Sequence, residues 1–207
     1  LRKEGGYGIG NLDILRRNDE TGTWMRIFGR DLGYQSRELR FDHLRQGNWG
    51  YSIGYSQTPA YSPYRVTTGL IGHGTTSQTT WGGGFHTSEP KTQRDALTLG
   101  FEKYFGESWS VDVRFKNEEK TGYRIFGRGS NGQEFLTEPI NSTTRQAEAT
   151  VAYTGAQLQL SGGYYGTWFE NRNDSLSPFG GLNSSTTSIG SNFQTIGLPP
   201  DNSSHQI

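Results

Sequence analysis

The chain has 207 residues, 30 of them glycine, with 20 Lys plus Arg balanced by 20 Asp plus Glu and no cysteine. Zero net charge removes the electrostatic basis for nucleic-acid binding, and the missing thiols exclude disulfides, thiolate metal sites and covalent c-type haem within this chain. Mean hydropathy is −0.76 and no apolar run approaches the ~18 residues of a transmembrane helix, yet 13% aromatic residues and recurrent alternation point to folded β-structure over 5–168 rather than to disorder.

Eight strands are predicted in chain order: 5–17, 23–32, 37–45, 48–57, 94–104, 108–117, 145–153 and 157–168. The first two are irregular, because Arg26 and Arg30 share the Trp24/Phe28 face, a pattern that fits a bulge or a strand mostly outside an apolar zone. The fourth, "WGYSIGYS" at 49–56, alternates without a break: Trp49, Tyr51, Ile53 and Tyr55 oppose Gly50, Ser52, Gly54 and Ser56. The fifth sets Leu97, Leu99 and Phe101 against Thr98, Gly100 and Glu102, and the sixth sets Trp109, Val111, Val113 and Phe115 against Ser110, Asp112, Arg114 and Lys116. In the seventh, Ala147, Ala149, Val151 and Tyr153 oppose Glu148, Thr150 and Ala152. Successive side chains of a strand point to opposite faces, so each of these has one greasy face and one small or polar face.

The connections alternate in length. "NDETG" (18–22), "RQGN" (45–48), "FGES" (105–108) and "TGA" (154–156) are tight glycine-bearing turns. The stretches 58–93, 118–144 and 169–207 are long, polar and rich in Gly, Ser, Thr and Asn, and only "GYQS" between strands two and three breaks the pattern. Short turns at one end and long loops at the other fit an antiparallel up-and-down transmembrane β-barrel of outer-membrane type. Trp49, Trp109 and Tyr153 fall beside tight turns, where an aromatic girdle belongs. Small barrels fill their interior with side chains. Gly50, Gly54, Gly100 and Ala152 fill nothing, so the reading is an arc of about eight strands from a larger barrel, with residues 169–207 as a truncated extracellular loop and both ends cut. A soluble sandwich or β-helix remains the rival; its lining would be a core richer in Leu, Ile and Val.

Other motifs carry less. "RIFGR" occurs at 26–30 and again at 124–128, by chance or by duplication of a hairpin. His43, His73, His86 and His205 are scattered and read as surface or loop residues; His73 sits in "GLIGHG", which lacks the strand–helix setting of a dinucleotide fingerprint. "SEPK" (88–91) has the spacing of a serine–lysine nucleophile but lies in a loop with no helix. Asp112 and Glu148 would be a carboxylate pair only if their strands neighbour at that register, and lumen lining is the plainer role. Asn141, Asn173, Asn183 and Asn202 begin N-x-S/T triplets, which have no glycosylation role in a bacterial outer-membrane protein. No catalytic, cofactor or metal residue is assigned, and the chain is read as no enzyme.

The segment 24–79 resembles the MtrB/PioB family of decahaem-associated outer-membrane barrels. The matching pieces are "LGYQSREL", "RQGNWGYSIGYSQTP" and the loop "TTGLIGHGT", in that order, and the short link "GYQS" is part of the match. The resemblance implies a bacterial outer-membrane sheath threaded by a periplasmic multihaem cytochrome, with a surface cytochrome beside it, so that electrons cross the membrane while haem resides in the partner. On that reading Trp49, Tyr51, Ile53, Tyr55, Leu97, Leu99, Trp109, Val111 and Val113 face lipid. Gly50, Ser52, Gly54, Gly100, Asp112, Arg114 and Glu148 face the lumen and its occupant. A diffusion porin or transport-receptor barrel is the alternative function, and a soluble β-rich binding protein the second alternative.

Overall fold

Alternating side chains and glycine turns fold this chain into strands, with no helix among the described residues. The computed structural model describes residues 8–80, 84–128, 135–179 and 195–207. The strands are β1 (Leu12–Asn18), β2 (Thr23–Arg30), β3 (Arg37–Arg45), β4 (Trp49–Tyr61), β5 (Val66–Thr68), β6 (Leu70–Ile71), β7 (Ser77–Thr80), β8 (His86–Ser88), β9 (Lys91–Phe105), β10 (Trp109–Arg128), β11 (Phe135–Thr154), β12 (Gln159–Asn171), β13 (Ser175–Phe179), β14 (Ile196–Gly197) and β15 (Asn202–Gln206).

Nine of them form one open meander in the order β1-β2-β3-β4-β9-β10-β11-β12-β15, antiparallel throughout. The tight turns lie at one end. Gly47 (φ 69°) and Gly106 (φ 62°) take the left-handed conformation that closes β3–β4 and β9–β10. At the other end β2–β3 and β10–β11 are short, while β4–β9 and β12–β15 are long, so the sequence pattern holds for two of the three long connections it predicts.

Three differences stand out. The 118–144 stretch, read as a loop, is strand over 118–128 and 135–144, so β10 and β11 each run 20 residues. That is about 65 Å at ~3.3 Å per residue, roughly twice what crosses a bilayer core. Apolar alternation reports burial or lipid contact rather than extended backbone, so a strand in a polar setting loses the signal while keeping its ladder. Second, the tail read as one polar loop carries β13 and β14, then β15, whose residues pair with β12 from Phe169↔Asn202 to Tyr165↔Gln206. Third, β1 begins at Leu12 rather than at residue 5; residues 5–7 lie outside the described residues.

The packed core is on the loop side. Of the buried apolar residues Val66, Leu70, Ala96, Leu176 and Leu198, only Ala96 belongs to the nine-stranded sheet. Strands β6, β7, β13 and β14 make a small second sheet with a parallel β7–β13 pair, and β5 pairs with β8. Both contact β11. Buried Gln78 ties the parts together, its Nε2 donating to the Thr137 carbonyl (2.5 Å) and its Oε1 accepting from the Thr137 amide (3.0 Å).

Candidate functional site: two opposed faces of one sheet

Residues paired across an antiparallel ladder share a face, so the registers sort the predicted positions. Gly50↔Glu102↔Asp112, Ser52↔Gly100↔Arg114↔Glu148 and Gly54↔Thr98↔Lys116 all lie on one face. Trp49, Tyr51, Ile53 and Tyr55 lie on the other, beside Leu97, Leu99, Trp109, Val111 and Val113. All seven residues expected toward a lumen therefore share the first face, and all nine expected toward lipid share the second.

The second face is apolar and uncovered. Ile53 (47%), Phe101 (47%), Trp109 (50%) and Val113 (39%) are exposed. Rows such as Phe41, Ile53, Leu99, Phe115 and Ala147 run across five adjacent strands, β3, β4, β9, β10 and β11. Toward the long loops the band ends at Leu39, Tyr55, Leu97 and Trp168; the next row is Arg37, Gln57, Asp95, Glu119, Thr143 and Glu170. Leu97 to Phe105 spans about 27 Å of strand at ~3.4 Å per residue. Tilted by about 40°, that is about 21 Å of height, close to the ~25 Å band of outer-membrane barrels.

Aromatic rings mark the turn-side rim. Trp49 stacks on Tyr51 at 5.7 Å, Trp109 tilts against Tyr153 at 5.0 Å, and His43 Nδ1 lies 3.0 Å from the Tyr51 hydroxyl. Lys103 interrupts the band between Phe101 and Phe105. Its ammonium donates to Asn48 Oδ1 in the β3–β4 turn, so the stem lies on the apolar face and the charge reaches the rim. At the opposite rim the Tyr55 hydroxyl and the Gln57 amide both donate to Asp95.

The first face is mainly polar, with Trp24, Phe28, Leu44, Tyr104 and Tyr165 among its large apolar or aromatic side chains. Its charges are locally neutralised: Arg26 pairs with Asp13 at 2.8 Å, Arg40 with Asp42 at 2.9 Å, Arg114 with Asp112 at 3.0 Å and Lys116 with Glu118 at 2.8 Å. Among the described residues Glu102 and Glu148 have no hydrogen-bond or ion-pair partner. The glycines here are not bare wall. A Cβ on Gly50 would lie 2.5 Å from Glu102 Oε1, one on Gly54 2.5 Å from Thr98 Oγ1, and one on Gly100 2.5 Å from Ser52 Oγ. Neighbouring side chains lie flat across the glycines, leaving a shallow furrow along β4 and β9 flanked by Arg40, Asp42, Arg114 and Lys116.

The remaining motifs resolve as follows. Asp112 and Glu148 are not directly paired, since Asp112 faces Thr150 and Glu148 faces Arg114. Ser88 is buried beside the Tyr123 hydroxyl (3.3 Å) while Lys91 is exposed at the start of β9. His205 packs its ring against Tyr164 and Trp168 on the apolar face. The two "RIFGR" copies end β2 and β10, and in each the first arginine pairs with a carboxylate of the neighbouring strand, Arg26 with Asp13 and Arg124 with Glu138. Among the described residues no three His, Asp or Glu side chains gather as a metal site. Asn183 lies outside the described residues. Sequence reasoning missed the pairing of β15 with β12 and the approach of His73 to His86; neither carries a local signal.

The comparisons agree with this geometry. The chain is 28% identical, over its whole length, to the "Outer membrane protein MtrB" of Shewanella baltica (strain OS185), and it spans about a third (33%) of that relative's length. Residues 1–207 match the family model described as outer membrane beta-barrel porin, MtrB/PioB. This is a porin family rather than an enzyme family, and it places the chain in the outer membrane. An open all-β meander with one bare apolar face at bilayer height, matched over its full length by that model, belongs to the MtrB/PioB family of outer-membrane β-barrels.

Proposed function

We propose that this chain forms an arc of the wall of a large outer-membrane barrel that holds a multihaem c-type cytochrome, so that electrons cross a lipid layer that would otherwise insulate. The apolar face, with Trp49, Tyr51, Ile53, Tyr55, Leu97, Leu99, Trp109, Val111 and Val113, meets lipid. The polar face, with Gly50, Ser52, Gly54, Gly100, Asp112, Arg114 and Glu148, meets the occupant. The observation that carries the reading is the contrast between these faces on one sheet: uncovered hydrocarbon on one side, a mainly polar surface rich in ion pairs on the other. In lipid every backbone N–H and C=O must be paired, so the edges β1 and β15 call for further strands of the whole protein.

The protein supplies position and insulation, and the redox centres belong to the partner. A face on which Arg26, Arg40, Arg114 and Lys116 each hold a nearby carboxylate gives little net field to select free ions. A diffusion porin is the second reading, favoured by the family's description as porins. The soluble alternative conflicts with both the family match and the uncovered apolar face. Purification of the full-length protein from its native membrane separates the first two. Co-purification of a haem-stained partner supports the sheath; a barrel that never carries one and instead passes small solutes in liposome swelling overturns it in favour of the porin.

A further inference from the structure

The loop side holds a constellation that neither the wall nor the occupant uses. His73 sits in the β6–β7 turn and His86 in β8, and their ring centroids are 5.0 Å apart with the planes inclined by 45°. The Nε2 of His73 is buried and has no hydrogen-bond partner. A buried polar atom left unsatisfied in this way calls for a specific explanation, an ion among them.

The turn carrying His73 is held from several sides. Gly72 (φ 86°) and Gly74 (φ 76°) both take the left-handed conformation. A Cβ at Gly72 would meet the Ser77 carbonyl at 2.4 Å, and one at Gly74 would meet the Tyr123 ring at 2.9 Å. The Gly74 amide donates to Thr137 Oγ1 at 3.1 Å, and Thr75 Oγ1 donates to the Gly72 carbonyl at 2.6 Å. His86 is fixed by the β5–β8 ladder opposite fully buried Thr68. Tyr123 backs the pair at 6.4 Å from the His73 ring, and its hydroxyl is engaged with Ser88 and the Glu89 carbonyl. Tyr123 is therefore a wall and not a ligand.

We propose that His73 and His86 form a two-imidazole binding site for a first-row divalent transition ion, with the remaining coordination positions left to water or to an exogenous ligand. With a metal–nitrogen bond of about 2.1 Å, each ring centroid stands about 3.2 Å from the ion, and two rings at a tetrahedral angle stand about 5.2 Å apart. The observed 5.0 Å matches that separation. Neutral imidazole is the ligand that zinc, copper and nickel favour. Burial and the neighbouring His86 both push the His73 pKa below its ordinary value, which keeps the lone pair free at neutral pH. A bound ion would clip the β6–β7 turn directly to β8, which Tyr123 otherwise bridges.

The test uses full-length protein in detergent, stripped of metal and titrated with Cu²⁺, with electron paramagnetic resonance as the readout. Wild type should bind one equivalent whose spectrum carries coupling to two imidazole nitrogens. His73→Ala and His86→Ala should each abolish that species, and Tyr123→Phe and His205→Ala should retain it. His86 is exposed, so its substitution reports on binding even where His73→Ala disturbs the turn. Zn²⁺ should compete with the copper and protect residues 62–90 from proteolysis in wild type and in neither histidine variant. Coupling to a single nitrogen in wild type, or retention of the species in either histidine variant, overturns the proposal.

Discussion

Placing an arginine at Val113 is the sharpest probe of which face meets lipid. Val113 is 39% exposed on the apolar face, next to Phe101 and Ala149 in the ladder. It stands four residues from Trp109 at the turn-side rim and four from Asn117, where the band becomes polar. Each distance is about 14 Å along the strand, or roughly 10 Å of height at the usual tilt, too far for the arginine stem to carry its charge out of the band. Val113→Arg should therefore approach the midplane cost of ~2–4 kcal/mol, about a 30- to 700-fold loss in the folding equilibrium. Thr150→Arg is the control. Its register partner Asp112 puts it at similar height on the polar face, and its cost should be within about 0.5 kcal/mol of zero. The assay is denaturant-dependent folding of the full-length barrel into phospholipid vesicles, followed by tryptophan fluorescence and by heat-modifiable migration. Equal costs for the two substitutions, or a free Val113→Arg, would refute the assignment of the faces.

Four further outcomes are expected. Replacing both unpartnered carboxylates, Glu102→Gln with Glu148→Gln, should weaken retention of a haem-stained partner while leaving vesicle folding unchanged; full retention would remove these two residues from the contact. Gly54→Trp with Gly50→Trp should also loosen the partner, at about 1–3 kcal/mol of overpacking per site. Gly54 should carry more of that loss, because the blocking Thr98 Oγ1 is on a short branched side chain whereas Glu102 can swing away. Gln78→Ala strips two hydrogen bonds from Thr137 in a buried site and should loosen the loop sheet by about 1–3 kcal/mol, read as faster amide exchange at Thr137 with β4 and β9 unaffected. The His73 pKa is lowered by burial and by His86, so its contribution is present above the ordinary histidine value of 6.5 and is lost as pH falls, when the opened form takes up a proton. Around it stand His86 from β8 and Tyr123 from β10. Exchange at the Gly74 amide, corrected for its intrinsic rate, should therefore accelerate at mildly acidic pH, and His73→Gln should remove that dependence.

Local chemistry in the sequence was enough for the strands and hairpins of the wall. Alternation in β4, β9 and β10 depends on nearest neighbours alone, and Gly47 and Gly106 announce turns because few other residues take a positive φ cheaply. The same alternation sorts residues into two faces, since in a regular meander every strand must present its apolar side to one environment. Tertiary structure decided what depends on distant partners. The segment "NSSHQ" has no apolar period, and only the exposed hydrogen-bonding edge of β12 makes it a strand. The outer halves of β10 and β11 lack a regular apolar period and hold by pairing with each other and, over 119–123, with β9. Glu102 lies over Gly50, and His73 meets His86, through registers set by strands that loop entropy alone would keep apart. A strand's period is written in adjacent side chains, but its register belongs to the pair, and the pair forms only when the chain has returned.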